Sequence, residues 1–326
     1  MGFRHLTTTD RIRIETLFKL RYSTRTISAE LKIHHSTIAR EIKRGTVSGR
    51  YEHATAQTLA AQRRVPSART SVWTQELNDT ITARLLETWS PEQIAGWHRR
   101  VQRPMVGAKT IYNWINQGRI TFLDRGKITQ LMVRFLPQRG LRKGSYVPDV
   151  IQAIGTSIRY RPKEVQRRKV FGHWEADTVV SSRGKSSGCI ATFCERTTRM
   201  LIAFKLPNRT ADAMNSAIET LVAMLPHGAV KSMTVDRGKE FASYRSVASK
   251  CKLKLYFADP FSAWQRGTIE NANGLLRRFY PKQTDLALID PRELQKYVAL
   301  INRRPRACLD MVPSAEAFLL QLSQLI

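Results

Sequence analysis

Three stretches of the chain hold acidic side chains whose setting points to chemistry: a central strand, a strand tip and a basic helix face. In HWEADTVV, strand alternation sets His173, Glu175 and Asp177 on one side and Trp174, Ala176 and Thr178 on the other. In SMTVDRGKEF, Asp236 closes an apolar strand and is followed at once by Arg237 and Gly238. Its carboxylate therefore stands at a strand tip, where ligands bind. In WQRGTIENANGLLRRFYP, a helical wheel gathers Ala272, Leu275, Leu276 and Phe279 on a buried arc and turns Glu270, Asn273, Gly274, Arg277 and Arg278 outward. Gly274 lets a backbone or phosphate approach, Arg277 and Arg278 can hold phosphates beside the acid, and Asn273 with these arginines is expected to contact DNA. Acid chemistry at a held phosphate is one reading of this face; an ordinary surface helix with local ion pairs is the other.

Residues so far apart need a scaffold to bring them together. From Gly172 onward, HWEADTVV, CIATFC and MLIAFKL read as an antiparallel meander, separated by SSRGKSSG and ERTTR. A helix over 211–225 follows, then the strand SMTVD, a helix over 241–250, the strand LKLYF and the helix of Glu270. That order resembles the α/β ribonuclease H-like architecture.

Upstream the pattern is helical, with no strand-like alternation before about residue 150. Ser23 caps a helix carrying Ile27 and Leu31, and after a turn at Lys32 to His35 another runs from Ser36 to Arg44 and stops at Gly45. Ile38 and Ile42 form its dry side, and Ser36, Thr37, Arg40 and Arg44 its basic front. This is the pattern of a helix-turn-helix whose second helix enters the major groove; a plain three-helix bundle with a solvated face is the alternative. Ser90, Pro91, Glu92 and Gln93 make a capping box. With KTIYNWI they suggest a second helix-turn-helix-like unit, in which Lys109 is a DNA contact and Trp89, Trp97 and Trp114 are core. The expected organisation is multidomain: an all-α helix-turn-helix domain over 1–60, a second helical DNA-binding domain over 61–125, a basic connector over 126–168 and the α/β core over 169–326.

Composition says what such a chain faces. Its 326 residues include 54 Lys and Arg against 26 Asp and Glu, a formal net charge of +28, with the 42% hydrophobic content of a folded protein. Residues 1–150 hold 26 basic and 11 acidic side chains and residues 151–326 hold 28 and 15, so both halves face a polyanion, expected to be double-stranded DNA. No apolar run approaches the roughly 18 residues of a spanning helix. The opening MGFRHLTTTD lacks a secretory pattern, and the four cysteines form no CxxC pair. No membrane partner, zinc knuckle or disulfide framework is expected, and the location is read as the bacterial cytoplasm, with the nucleoid.

The segments STIAREIKRG (36–45), SPEQIAGW (90–97), GHWEADTV (172–179), TVDRGKEF (234–241), YFADPFSAWQRGTIENANGLLRRFYPK (256–282) and NRRPR (302–306) together resemble the bacterial transposases of the insertion-sequence-thirty family, over nearly the whole chain. The resemblance implies a DDE recombinase with an integrase-type ribonuclease H-like core and two Mg²⁺ ions, for which Mn²⁺ can substitute. Its triad falls on Asp177, Asp236 and Glu270, with 33 residues between the last two. Asp177 would bridge the metals, and Asp236 and Glu270 would each favour one. Strand transfer is in-line phosphoryl displacement, with charge building on the attacking and leaving oxygens, and Mg²⁺ needs only a few hard oxygen ligands beside its waters. The resemblance further implies binding to the terminal inverted repeats of the protein's own element, attack by water and then by a 3′-hydroxyl, joining to target DNA, and a homo-oligomer on paired ends.

The chain departs from the family pattern at Arg237, where Asn is usual, at Ile269, and in the tail at Leu309, Asp310 and Met311. Within the motifs, Glu175 is expected to be structural or to support the ligands, Asp259 to be a turn acid and His173 a core histidine. Lys239 and Arg237 are either DNA contacts or neighbours that keep Asp236 ionised. Three rival readings remain: a non-enzymatic helix-turn-helix regulator, for which residues 1–120 would suffice, a decayed transposase with the same motifs, and a nuclease of the same fold that cuts without joining.

Overall fold

The computed structural model describes residues 5–64, 72–120, 155–181, 186–260 and 262–325. They belong to two compact units, Met1–Trp73 and Thr74–Ile326. In the first, α1 (Thr8–Lys19), α2 (Thr24–Leu31), α3 (His35–Gly45) and α4 (His53–Arg64) surround Ile14, Ile27, Ile38, Tyr51 and Ala56. Thr7 and Asp10 form a capping box on α1, and Ser23 caps α2 by accepting the Thr26 amide. Lys32 then takes a left-handed conformation, φ 52°, that turns the chain into α3. Contrary to the all-helical expectation, β1 (Thr46–Val47) and β2 (Arg50–Tyr51) pair across Ser48 and Gly49, both at positive φ. Strands of two residues are too short to show alternation, so only the turn residues announce them. Gly45 ends α3 where any Cβ would collide with Tyr51 and Ala56.

The second unit opens with α5 (Gln75–Leu86), α6 (Pro91–Arg100) and α7 (Ala108–Asn116). The capping box on α6 forms as its sequence dictates: Ser90 Oγ accepts the Gln93 amide and Gln93 Oε1 accepts the Ser90 amide. Trp89 and Trp114 are buried. Most of the expected connector lies outside the described residues. Its end carries the short α8 (Lys163–Arg167), and Ser157 bridges in parallel to Phe257.

The sheet that follows is the ribonuclease H-like one. β3 (His173–Val180), β4 (Cys189–Glu195) and β5 (Leu201–Leu206) are antiparallel. β6 (Ser232–Val235) and β7 (Lys254–Phe257) add in parallel at the other edge of β3, in the order β5-β4-β3-β6-β7. Between them run α9 (Ala211–Ala223) and α10 (Tyr244–Lys250). Trp174 and Ala176 of β3 pack with Phe193, Met214, Ile218 and Phe241 on one face of the sheet. On the other, Val179 meets Ile269, Ala272 and Leu276 of α11 (Gly267–Leu276) and Leu294 and Val298 of α12 (Pro291–Asn302). Helices thus cover both faces of a sheet with parallel strands, as its burial requires.

The NRRPR segment fastens α5 and α6 to this sheet. Asn302 bonds both backbone groups of Leu201, Arg304 donates to Thr88 Oγ1 at 2.6 Å, and the Pro305 carbonyl accepts from Gln93 Nε2 at 2.8 Å. β8 (Pro305–Arg306) and β9 (Val312–Pro313) form a small hairpin, and α13 (Ser314–Ser323) closes the unit.

Candidate active site

Glu175 on β3 lies opposite Thr234 on β6. Two residues further along these parallel strands the same register sets Asp177 level with Asp236, at the tip of β6. Both acids meet Arg266, the last residue of the turn Ala263–Arg266 that leads into α11. Its Nη2 is 3.2 Å from Asp236 Oδ2 and its Nη1 is 3.6 Å from Asp177 Oδ2. Burial pushes the Asp177 carboxyl up to about 6, with Arg266 opposing the rise and Asp236 adding to it.

Glu175 holds α11 over this pair. Its carboxylate is fully buried; Oε2 accepts the amides of Thr268 at 3.0 Å and Ile269 at 2.8 Å, and Oε1 pairs with buried Arg196. An anion there satisfies two orphan amides of the helix start and meets the positive end of its dipole. From that anchor a stripe at helical spacing, Arg266, Glu270, Asn273 and Arg277, runs along the side toward β3. Arg266 Nη1 donates to the Ala176 carbonyl at 3.4 Å, Asn273 Nδ2 to Asp177 Oδ2 at 3.1 Å, and Arg277 Nη2 to the Val180 carbonyl at 2.6 Å. Glu270 occupies the remaining place in the stripe, half-buried. Among the described residues its side chain makes no hydrogen bond or ion pair.

The fold therefore brings Asp177 and Asp236 together and sets Glu270 on the helix side that touches them. Among the described residues, no three His, Cys, Asp or Glu side chains are grouped closely enough to hold a metal ion as they stand. The donor set nevertheless suits a hard divalent cation. It is all carboxylate, its two aspartates converge on a positive group, and Asp236 adjoins an orphan oxygen on Glu240. Glu240 is fully buried; its Oε1 accepts from Thr178 Oγ1 at 2.7 Å and from Arg209 Nε at 2.8 Å, while Oε2 has no partner. A Cβ on Gly238 would strike both Glu240 Oε2 and Asp236 Oδ1, so the two carboxylates flank one glycine.

Sequence reasoning passed over Arg266 and Glu240. The signals were present: Arg266 stands one helical turn before Glu270, and Glu240 follows the strand-tip Asp236 by four residues, against apolar Phe241. Asn273, expected to face DNA, is turned onto Asp177. Arg277 is held by the end of β3 with Nη1 buried and without a partner, and burial lowers the pKa of both Arg277 and Arg278. Arg237 donates to the Ala258 carbonyl at 3.2 Å. Asp259 is locked in its turn by Gln265, whose Oε1 accepts its amide and whose Nε2 reaches its Oδ2. His173 is buried with Nδ1 2.7 Å from Ser232 Oγ; burial lowers its pKa to about 4, leaving the ring neutral at pH 7. In the first unit Arg40 and Arg44 are exposed on α3, and Ser36 and Thr37 are half-buried at its start. Lys109 is exposed on α7.

Residues 167–263 match a family model described as an integrase core domain, and residues 3–45 one described as a helix-turn-helix domain. The chain is 33% identical over 320 residues to transposase InsI of insertion sequence element IS30C from Escherichia coli strain K12, spanning 94% of this chain and 81% of that one. It is 30% identical over 323 residues to the transposase of insertion sequence element IS4351 from Bacteroides fragilis, spanning 97% and 95%. Among solved structures, the catalytic core domain of BIV integrase aligns with 48% of this chain and 98% of its own, at a TM-score of 0.38 and 16% identity. No helix among the described residues is long and apolar enough to cross a membrane.

Proposed function

From the premise that this chain belongs to the insertion-sequence-thirty family of transposases, we propose that it cuts and joins DNA at Asp177, Asp236 and Glu270, the three carboxylates that hold its divalent cations. The protein is a DNA transposase, with a DNA-binding helix-turn-helix region and a polynucleotidyl transferase core. The site assignment rests on one observation above all: Asp177 and Asp236 converge across adjacent parallel strands, beneath a helix whose facing stripe bears Glu270.

A bound divalent cation, Mg²⁺ or Mn²⁺, supplies charge stabilisation for the attacking and leaving oxygens of the phosphodiester. The chain's own residues supply the rest. Glu175 holds α11 above the strand tips, and Asp177 is oriented by Asn273, which donates to its Oδ2, and by the Thr178 amide, which donates to its Oδ1 at 2.8 Å. Ser36, Thr37, Arg40 and Arg44 read the element's terminal repeats in the major groove, while Lys109 and Arg278 follow phosphates. Two or more protomers assemble on paired ends, each joining an end to target DNA.

The test is incubation with DNA bearing the element's ends, with and without Mg²⁺. Asp177→Asn and Glu270→Gln should each lose cleavage and joining by about a thousandfold or more while still binding those ends. Wild-type rates in both variants would overturn the assignment. Cleavage without any joined product would make the protein a nuclease of this fold.

A further inference from the structure

We propose that Arg266 is the built-in counter-cation of the Asp177 and Asp236 pair, and that a divalent metal enters the site by displacing it. The proposal rests on the reading that these two aspartates are metal ligands, and it adds the group that competes for them.

Two carboxylates at one place repel, and a guanidinium can span them because its two terminal nitrogens diverge, one toward each acid. The charges do not balance, since one cation faces two anions. The nearby Arg209 cannot make up the deficit, because Glu240 engages it at 2.7 Å. A divalent ion balances the pair where a guanidinium does not.

The grip of Arg266 is also loose. Two of its three contacts, at 3.6 and 3.4 Å, are longer than a good hydrogen bond. The contrast is with Glu175, on the same face of β3 as Asp177, which makes an enclosed pair with Arg196 just beyond the end of β4. Departure needs only a side-chain rotation, for α11 stays anchored through Thr268 and Ile269 to Glu175. Arg266 itself stands upstream of those amides, in a turn that no side chain caps, with 11% of its side chain open to solvent.

The experiment is calorimetric titration of the full-length protein with Mn²⁺ in the absence of DNA, comparing wild type with Arg266→Gln, Arg266→Lys and Asp177→Asn. Arg266→Gln should bind Mn²⁺ up to about fivefold more tightly than wild type, the effect of removing one loosely held ion pair. Arg266→Lys should fall between, because an ammonium pairs with one acid at a time. Asp177→Asn should bind weakly. Equal or weaker binding by Arg266→Gln overturns the competition; if Asp177→Asn still loses binding in that case, the two aspartates remain metal ligands without it. Binding that Asp177→Asn leaves unchanged sinks both ideas together. Should Arg266→Gln fold poorly, thermal denaturation of Arg266→Lys decides. Mn²⁺ should raise its Tm by more than it raises that of wild type, and an equal or smaller rise overturns the proposal.

Discussion

Glu175 and Asp177 stand two residues apart on the same face of β3, yet the fold treats them in opposite ways. Glu175 is enclosed and complete, with two amides and an arginine sharing its oxygens. Asp177, nearer the open end of the strand, accepts the Thr178 amide on Oδ1 and the Asn273 side-chain amide on Oδ2, and faces a neighbouring acid and a loosely held arginine. Burial without full compensation raises its pKa, so it carries its charge at a cost. The difference separates an acid that holds structure from one left ready for a ligand. Two amides and an enclosed guanidinium offset the charge of Glu175, whereas that of Asp177, buried beside a second acid, is less fully offset and has more to gain from a cation.

The sharpest way to break this contrast is to remove the structural acid. Glu175→Ala leaves Arg196 buried without its partner and frees the start of α11, so unfolding in urea should occur with about 3–5 kcal/mol less stability. Glu175→Gln, which can still accept both amides, should lose less. Wild-type stability in the alanine variant would mean that Glu175 does not carry the helix.

Asp177→Asn should act in the other direction when no metal is bound. The Asp177 pKa is raised from its ordinary 3.8 to about 6, so the folded state prefers the protonated carboxyl. Its unfavourable contribution is absent below about pH 4, grows as pH rises through 6, and is complete above that. A rise of that size corresponds to roughly 3 kcal/mol at most. Asp177→Asn should therefore be more stable than wild type by a figure of that order at pH 8, and about equal to it at pH 4. A pH-independent difference between the two proteins would deny Asp177 its strained ionisation.

The smallest effect extends the comparison to the first unit. There Arg11 and Glu41 form a buried pair at 2.6 Å, while Arg40 and Arg44 lie open on α3. Arg40→Ala should weaken binding to the element's ends by about 1–3 kcal/mol if it reads a base, with random DNA bound as before. Equal loss on both DNAs in a gel-shift titration would make it a phosphate contact.

Much of this molecule is legible in its chain. Ser23 and the Ser90 capping box start helices because caps bond amides two or three residues away. The alternation of β3 separates Glu175 and Asp177 from Trp174 and Ala176 because period two is built into an extended backbone. Other features were beyond it. A helical wheel orders Glu270, Asn273 and Arg277 around an axis but cannot say which arc meets a strand tip. That is why Asn273, read as facing DNA, proves to hold Asp177. NRRPR is visible as a motif, yet nothing near it in sequence announces Thr88 and Gln93 as its partners.

By itself, then, the sequence determined the order of the sheet's strands and helices, the basic surface and the acids available for chemistry, since periodicity, capping and charge are properties of a residue and its close neighbours. Only the tertiary structure decided which acid is enclosed by its partners and which two share one guanidinium. Parallel pairing of β3 and β6 sets Asp177 beside Asp236, and the anchoring of α11 on Glu175 delivers Arg266 to both. Electrostatic need depends on what lies within a few ångströms in space, and strand order in the sheet, not position in the chain, assigns those neighbours.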